Sequence, residues 1–303
     1  MTANILKLKL MPRTKHLGWS YSRNNVFELC KRRYYYEYYG GRDLDNAPKI
    51  FWLKDLTSVP LEIGNITHLT IEKILAEYRK SPGSIDTERI LIYVQRQGER
   101  TRETKTFADI YYKQRENVDI ENEIVQPVLS SIMNFMKSPR HEWIRGQALA
   151  TADDWIVELK EPYVYGECLM GRWKAFAKVD AMFPVGHEFH IFDWKTGESG
   201  KYSQFDIQMK AYASWAKYHL DAPISKIRTY IVLLQPEFSE RPLQFNEADM
   251  ESFLQLVEKQ TEAMYDYCVE PDFNMPKPKD AFPMTPHVKL CQHCNFRELC
   301  DRA

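Results

Sequence analysis

Residues 178–195, KVDAMFPVGHEFHIFDWK, hold two apolar runs separated by a turn. The runs Lys174–Phe183 and Glu188–Lys195 are rich in β-branched and aromatic residues, and Pro184-Val185-Gly186-His187 supplies the turn, so the stretch predicts a hairpin. In its second strand Phe189, Ile191, Phe192 and Trp194 are apolar on both faces, the pattern of a buried strand. Asp193 and Lys195 stand two apart and project to one side. A charged pair at the end of a buried strand needs a partner or a metal. Pairing across the turn brings Asp180 toward Asp193, within reach of one ion, and carboxylate oxygens suit a hard cation such as Mg²⁺ or Mn²⁺. An isolated D-x-K is most often a solvated strand edge, so the juxtaposition carries the weight.

Outward from this hairpin, Trp155–Tyr165 reads as a preceding strand and Ser203–Leu220 as an amphipathic helix. Gln208 and Tyr212, at i and i+4, share a face of that helix. They fit an orienting role toward DNA or the lysine, or ordinary amphipathic surface. Lys226–Leu234 is a buried strand. Asn246–Val269 is a long helix, with Asn246 capping it three residues before Asp249. The order β-β-β-α-β predicts an α/β fold with a mixed sheet flanked by helices. Upstream, Tyr21–Tyr39 reads as one helix closed by Gly40-Gly41. Asn65–Lys80 reads as another, with His68, Ile71, Leu75 and Tyr78 on one face. A lone histidine on an apolar face is most often a core residue; near Asp180 and Asp193 it would complete a set favouring Mn²⁺. The chain thus divides as one domain, 1–303: an N-terminal helical part (20–80), a helical insertion (84–150), a catalytic sheet core (154–235), and a C-terminal helix and tail (246–303).

Composition bounds the reading. With 44% apolar and 27% charged residues and a net charge of −1, the 303-residue chain is of globular type and offers no global field for nucleic acid. Any DNA binding must be local. No apolar run approaches the roughly 20 residues of a membrane helix, and Lys7 and Lys9 interrupt the N-terminal segment, so the expectation is a cytoplasmic chain without membrane contact. Lys31, Arg32 and Arg33 are the first candidates for phosphate contacts, and the tyrosines of Tyr34–Tyr39 for stacking on bases. The segment Arg89–Arg115, which includes the basic stretch RQGERTRETK, carries seven basic residues against three acidic ones and reads as a solvated face.

Cysteines stand at 30, 168, 268, 291, 294 and 300. Cys291-x2-Cys294-x5-Cys300 gives three close thiolates, which suit zinc or iron–sulfur. Cys30, Cys168, Cys268, His287 and His293 are candidates for a fourth ligand, and spacing alone does not choose between a zinc knuckle and a cluster.

The ordered set resembles the iron–sulfur branch of the RecB-like PD-(D/E)XK nucleases, which includes CRISPR-adaptation nucleases, the AddB nuclease domain and the exonuclease V group. The residues that carry the resemblance are Cys30 in SRNNVFELCKRRYYYEYYG, His68 in IGNITHLTIEKIL, Asp180 in AKVDAMF, Asp193–Lys195 in IFDWKTG, Gln208–Tyr212 as QMKAY, and CQHCNFRELC at the end. It covers residues 20–80 and 155–303. It implies a restriction-endonuclease-like core with a C-terminal iron–sulfur staple, and cleavage of DNA phosphodiesters in repair, CRISPR adaptation or phage defence, with a helicase or CRISPR integrase proteins as partners. It implies that His68, Asp180, Asp193 and the Trp194 carbonyl bind Mg²⁺ or Mn²⁺, that Lys195, Gln208 and Tyr212 assist, and that Cys30, Cys291, Cys294 and Cys300 hold a 4Fe–4S cluster. Cys168 and Cys268 would be packing residues. Two departures stand out: Phe176-Ala177-Lys178 lacks the glycine often found before the Asp, and Asp193 stands where Glu is frequent. Glu158 and Glu161 are both candidates for a further acidic residue. The alternatives are a catalytically silent DNA-binding or scaffold protein of the same fold and a zinc-stapled interaction module.

Overall fold

The computed structural model describes residues 15–81, 85–157, 166–197 and 203–302. Its strands are β1 (Ile156–Val157), β2 (Glu167–Met170), β3 (Trp173–Phe176), β4 (Ala181–Val185), β5 (Glu188–Lys195), β6 (Ile227–Leu233), β7 (Ser239–Leu243), β8 (Cys268–Glu270) and β9 (Met275–Pro276). Five of them form one mixed sheet in the order β1-β4-β5-β6-β7, in which only β5 and β6 run parallel. A parallel pair needs a crossover, and the helix Ser203–Leu220 provides it.

The helices are α1 (Tyr21–Leu29), α2 (Lys31–Tyr39), α3 (Ala47–Lys54), α4 (Val59–Lys80), α5 (Thr87–Thr104), α6 (Ala108–Tyr111), α7 (Gln126–Met136), α8 (Pro139–Trp143), α9 (Ser203–Leu220) and α10 (Glu247–Tyr265). Side-chain alternation along the strands sends residues into two cores, one on each face of the sheet. Met182, Ile191 and Ile231 pack with Met209 and Ala213 of α9 and with the first three helices. Ala181, Phe183, Phe192, Trp194 and Val232 pack with Ile71, Ile74 and Leu75 of α4. The parity that sends Trp194 toward α4 turns Asp193 toward α9. That is how a buried strand delivers a carboxylate to a helix face.

Several elements depart from the sequence reading. Tyr21–Tyr39 is two helices, because Cys30 adopts extended backbone (φ −165°, ψ 115°) and both ends α1 and begins α2. Lys174–Phe183 divides between two sheets: β3 pairs with β2 in its own hairpin, while β4 joins the main sheet. The hairpin turn uses Gly171 at φ +63°, where a side chain would be strained. Pro184 and Val185 belong to β4, so the turn into β5 is Gly186-His187. α4 begins six residues earlier than periodicity suggested, at Val59, with Pro60 in its first turn. β7 was not foreseen; Ser239–Leu243 carries no apolar alternation. The capping box at Asn246 is present: its side chain accepts from Asp249 N and Asp249 Oδ2 accepts from Asn246 N. Of the predicted strand Trp155–Tyr165, Ile156–Val157 is seen and the remainder, with Glu158 and Glu161, lies outside the described residues.

Candidate active site

Antiparallel pairing sets Ala181 opposite Phe192 at the end of the β4–β5 ladder, and Asp180 stands in the bend just before β4. Asp180 Oδ2 accepts the Trp194 N–H at 2.9 Å, which anchors it across that ladder. His68, reaching in from α4, sets Nδ1 3.4 Å from Asp180 Oδ1 and Nε2 2.9 Å from the Trp194 carbonyl oxygen. From the other side, α9 supplies Gln208 and Tyr212 one turn apart. Gln208 Nε2 donates to Asp193 Oδ1 at 3.1 Å and to Tyr212 Oη at 2.8 Å, and Tyr212 Oη donates to the same Asp193 oxygen at 3.3 Å. Lys195 Nζ lies 2.7 Å from Asp193 Oδ2 and donates to Gln208 Oε1 at 3.3 Å. The six side chains named from the sequence and the Trp194 carbonyl therefore meet in one place.

Electrostatics there follow from burial. Asp193 is almost wholly buried. Desolvation, reinforced by the Asp180 charge, outweighs Lys195 and pushes its pKa up to about 6. Burial also acts upward on Asp180, but the His68 imidazole and Lys195 prevail and hold it below the usual carboxylate range. Burial disfavours protonation of His68, yet Asp180 above all, with Asp193, raises it to about 9. Tyr212 is raised well above its ordinary value, chiefly by burial.

Among the described residues no group of three His, Cys, Asp or Glu side chains is arranged to hold a metal ion. The donor chemistry nevertheless fits a hard cation. Asp193 Oδ2 is buried with the Lys195 ammonium 2.7 Å away. Two carboxylates, an imidazole and a main-chain carbonyl are the ligand types such a cation takes.

The cysteines divide by place. Cys30, Cys291, Cys294 and Cys300 line one small recess with Arg33, Tyr36 and Arg302. Cys30 Sγ accepts the N–H of Arg33 at 3.5 Å and of Thr285 at 3.4 Å, and Cys291 Sγ accepts from Arg302 Nη1 at 3.4 Å. Burial pushes the thiols of Cys294 and Cys300 up. Cys168 is wholly buried in β2, and Cys268 contacts Tyr39 Oη at 3.9 Å. Thr285 carried no motif signal, since it acts through its backbone N–H, and Arg302, which acts through its guanidinium, lies outside the cysteine motif.

The basic residues of α2 are occupied. Lys31 sits over the Phe27 ring at 3.4 Å and pairs with Glu28. Arg32 donates to the Phe282 carbonyl at 2.8 Å and pairs with Asp280, tying α2 to the C-terminal segment. Arg33 pairs with Glu37. Tyr34, Tyr35, Tyr36 and Tyr39 are core residues, which leaves Tyr38 for any stacking.

The chain is thus a mixed α/β fold in which Asp193 and Lys195 end one central strand and Asp180 is fastened beside them. The chain belongs to the PD-(D/E)XK nuclease superfamily, whose sequence model matches residues 18–301. Comparison with curated proteins finds no match. Three solved chains match, among them the crystal structure of SSO0001, at 16% identity and a TM-score of 0.31 over 67% of this chain and 80% of that one. No helix among the described residues is long and apolar enough to cross a membrane.

Proposed function

We propose that the protein is a metal-dependent deoxyribonuclease acting on single strands or DNA ends. The observation that carries this is the bond from the Trp194 N–H that fastens Asp180 next to Asp193, with Lys195 paired to Asp193 on the same strand. His68, Asp180, Asp193 and the Trp194 carbonyl would hold Mg²⁺ or Mn²⁺. When bound, the cation supplies Lewis acidity, acidifying water and offsetting phosphate charge. Lys195 Nζ, within 2.7 Å of Asp193, would offer a donor to the attacking water and to the charge developing on the phosphoryl oxygens. Gln208 and Tyr212 fix the Asp193 carboxylate and, through Gln208 Oε1, the lysine.

The same reading gives Cys30, Cys291, Cys294 and Cys300 a 4Fe–4S cluster of structural role. Its support is their shared recess and the N–H donors directed at Cys30 and Cys291. A four-iron cluster distributes its thiolates over separate irons, so its ligands need not form the tight group a single zinc requires.

Asp193→Ala and Lys195→Ala should each abolish cleavage of labelled DNA in Mg²⁺ or Mn²⁺ while leaving fold and DNA affinity largely intact. Wild-type rates in either variant would overturn the assignment of the centre. A wild-type protein that binds DNA but cuts none with either metal would point to the silent scaffold.

A further inference from the structure

Beside His68 a groove of about 770 Å³ runs between α4 and α5. The α4 wall carries Leu61, Gly64, His68 and Leu69, one helical stripe; the α5 wall carries Gln97 and Arg100 and ends at Lys105. A Cβ on Gly64 would lie 3.7 Å from Thr196 Oγ1, so the stripe comes close to the residue that follows Lys195. The groove thus borders the candidate centre through His68. Among the described residues its one lining carboxylate, Glu62, is buried and held by Thr57 at 2.5 Å and Thr101 at 3.4 Å. Among the described residues neither Arg100 nor Lys105 has an ion-pair partner, unlike the three basic residues of α2. Leu61 and Leu69 are 52% and 39% exposed. Past Pro60 and Leu61 the groove meets a second, of about 550 Å³, bordered by Arg33 and Arg297 at the cysteine recess.

We propose that the α4–α5 groove holds the single-stranded nucleic acid flanking the scissile phosphate, with Arg100 and Lys105 on its phosphates and Leu61 and Leu69 against unstacked bases. The assignment rests on the nuclease reading for the position of the scissile bond. Unpaired cations beside exposed leucines match the alternation of charge and apolar ring faces along an unstacked strand; bases stacked inside a duplex would not reach the leucines. In the sequence this segment is indistinguishable from a solvated charged face, and only the second helix makes it a wall.

The test is equilibrium binding of a fluorescent single-stranded 20-mer, across a salt series and without divalent metal, to wild-type protein and R100A/K105A. Each phosphate contact contributes a slope of about 0.7 in log affinity against log salt on a single strand. The double variant should lose about 1.4 of slope and on the order of tenfold in affinity at 0.1 M salt. R100K/K105R, which keeps both charges, should restore the slope and so separate lost contacts from misfolding. Affinity and slope equal to wild type in R100A/K105A, or a wild-type protein that binds no oligonucleotide, would overturn the proposal. So would a matching duplex that binds more tightly and loses as much in the variant. Cleavage is not needed for this readout, so a wild-type protein that binds but never cuts would refute the nuclease reading alone.

Discussion

Tyr212→Phe removes one hydroxyl from the candidate centre and little else. That hydroxyl donates to Asp193 Oδ1 at 3.3 Å and accepts from Gln208 Nε2 at 2.8 Å. A hydrogen bond to an ionised group contributes about 1.5–3 kcal/mol. Here the bond is long and Gln208 still holds the same oxygen at 3.1 Å, so the low end applies, about 1.5 kcal/mol. Expressed wholly in the alignment of Asp193, that is about a tenfold loss of single-turnover rate. Gln208→Ala removes the link to Lys195 as well and should lose more, about a hundredfold if two such contacts go. Because the two residues share Asp193 and bond each other, the double variant should fall short of the product of the singles. Single-turnover cleavage of a labelled oligonucleotide at saturating Mg²⁺ reads the rates, and urea denaturation shows that the fold is intact. A Tyr212→Phe enzyme within twofold of wild type, or strictly multiplicative effects, would refute the shared-carboxylate argument.

Cys30→Ser, purified without oxygen, should lose most of its iron and sulfide and much of its thermal stability, whereas Cys168→Ser and Cys268→Ser should keep the cluster; full iron in Cys30→Ser would break the ligand set. His190 gives a pH dependence: burial, against the pull of Glu188 and with Arg140 and Arg228 opposing protonation, depresses its pKa to about 4. The unfolded chain therefore binds a proton from about pH 6.5 downward that the folded one refuses. Stability should be complete above that pH and fall as pH drops toward 4. His190→Gln should flatten the difference between urea midpoints at pH 7.5 and 5.0, and an unchanged difference would remove His190 as its source.

The centre was readable because its geometry is local. A period of two fixes Asp193 with Lys195, a tight turn fixes Asp180 against Asp193, and a period of 3.6 fixes Gln208 with Tyr212. His68 needed more: periodicity put it on the apolar face of a helix, but only packing of α4 against the sheet face bearing Trp194 brings it to Asp180. The break in Lys174–Phe183 was hidden because Ala177, Val179 and Ala181 continue an apolar alternation; all three are buried, but Ala177 and Val179 lie in the irregular link between β3 and β4, and of the three Ala181 alone is in a strand. The α4–α5 groove was hidden for the opposite reason, since charge in a single helix says nothing about what stands across from it.

Cys30 shows where propensity misleads. The residues after it, KRRYYYEYY, are helical in fact and four of them are buried, so nothing in their pattern announces a stop. The helix stops because Cys30 serves α2 as an N-cap: its extended backbone lets Sγ accept the Arg33 N–H, the place a serine or aspartate side chain usually fills. The same turn of backbone presents Sγ to the Thr285 N–H, in the segment that leads to Cys291. A straight helix through position 30 would leave Sγ without the cap and α2 without its start. The kink and the C-terminal cysteines are therefore two halves of one arrangement. Serine at position 30 could keep the cap through its oxygen while giving up the sulfur, so Cys30→Ser separates loss of the proposed ligand from loss of a helix.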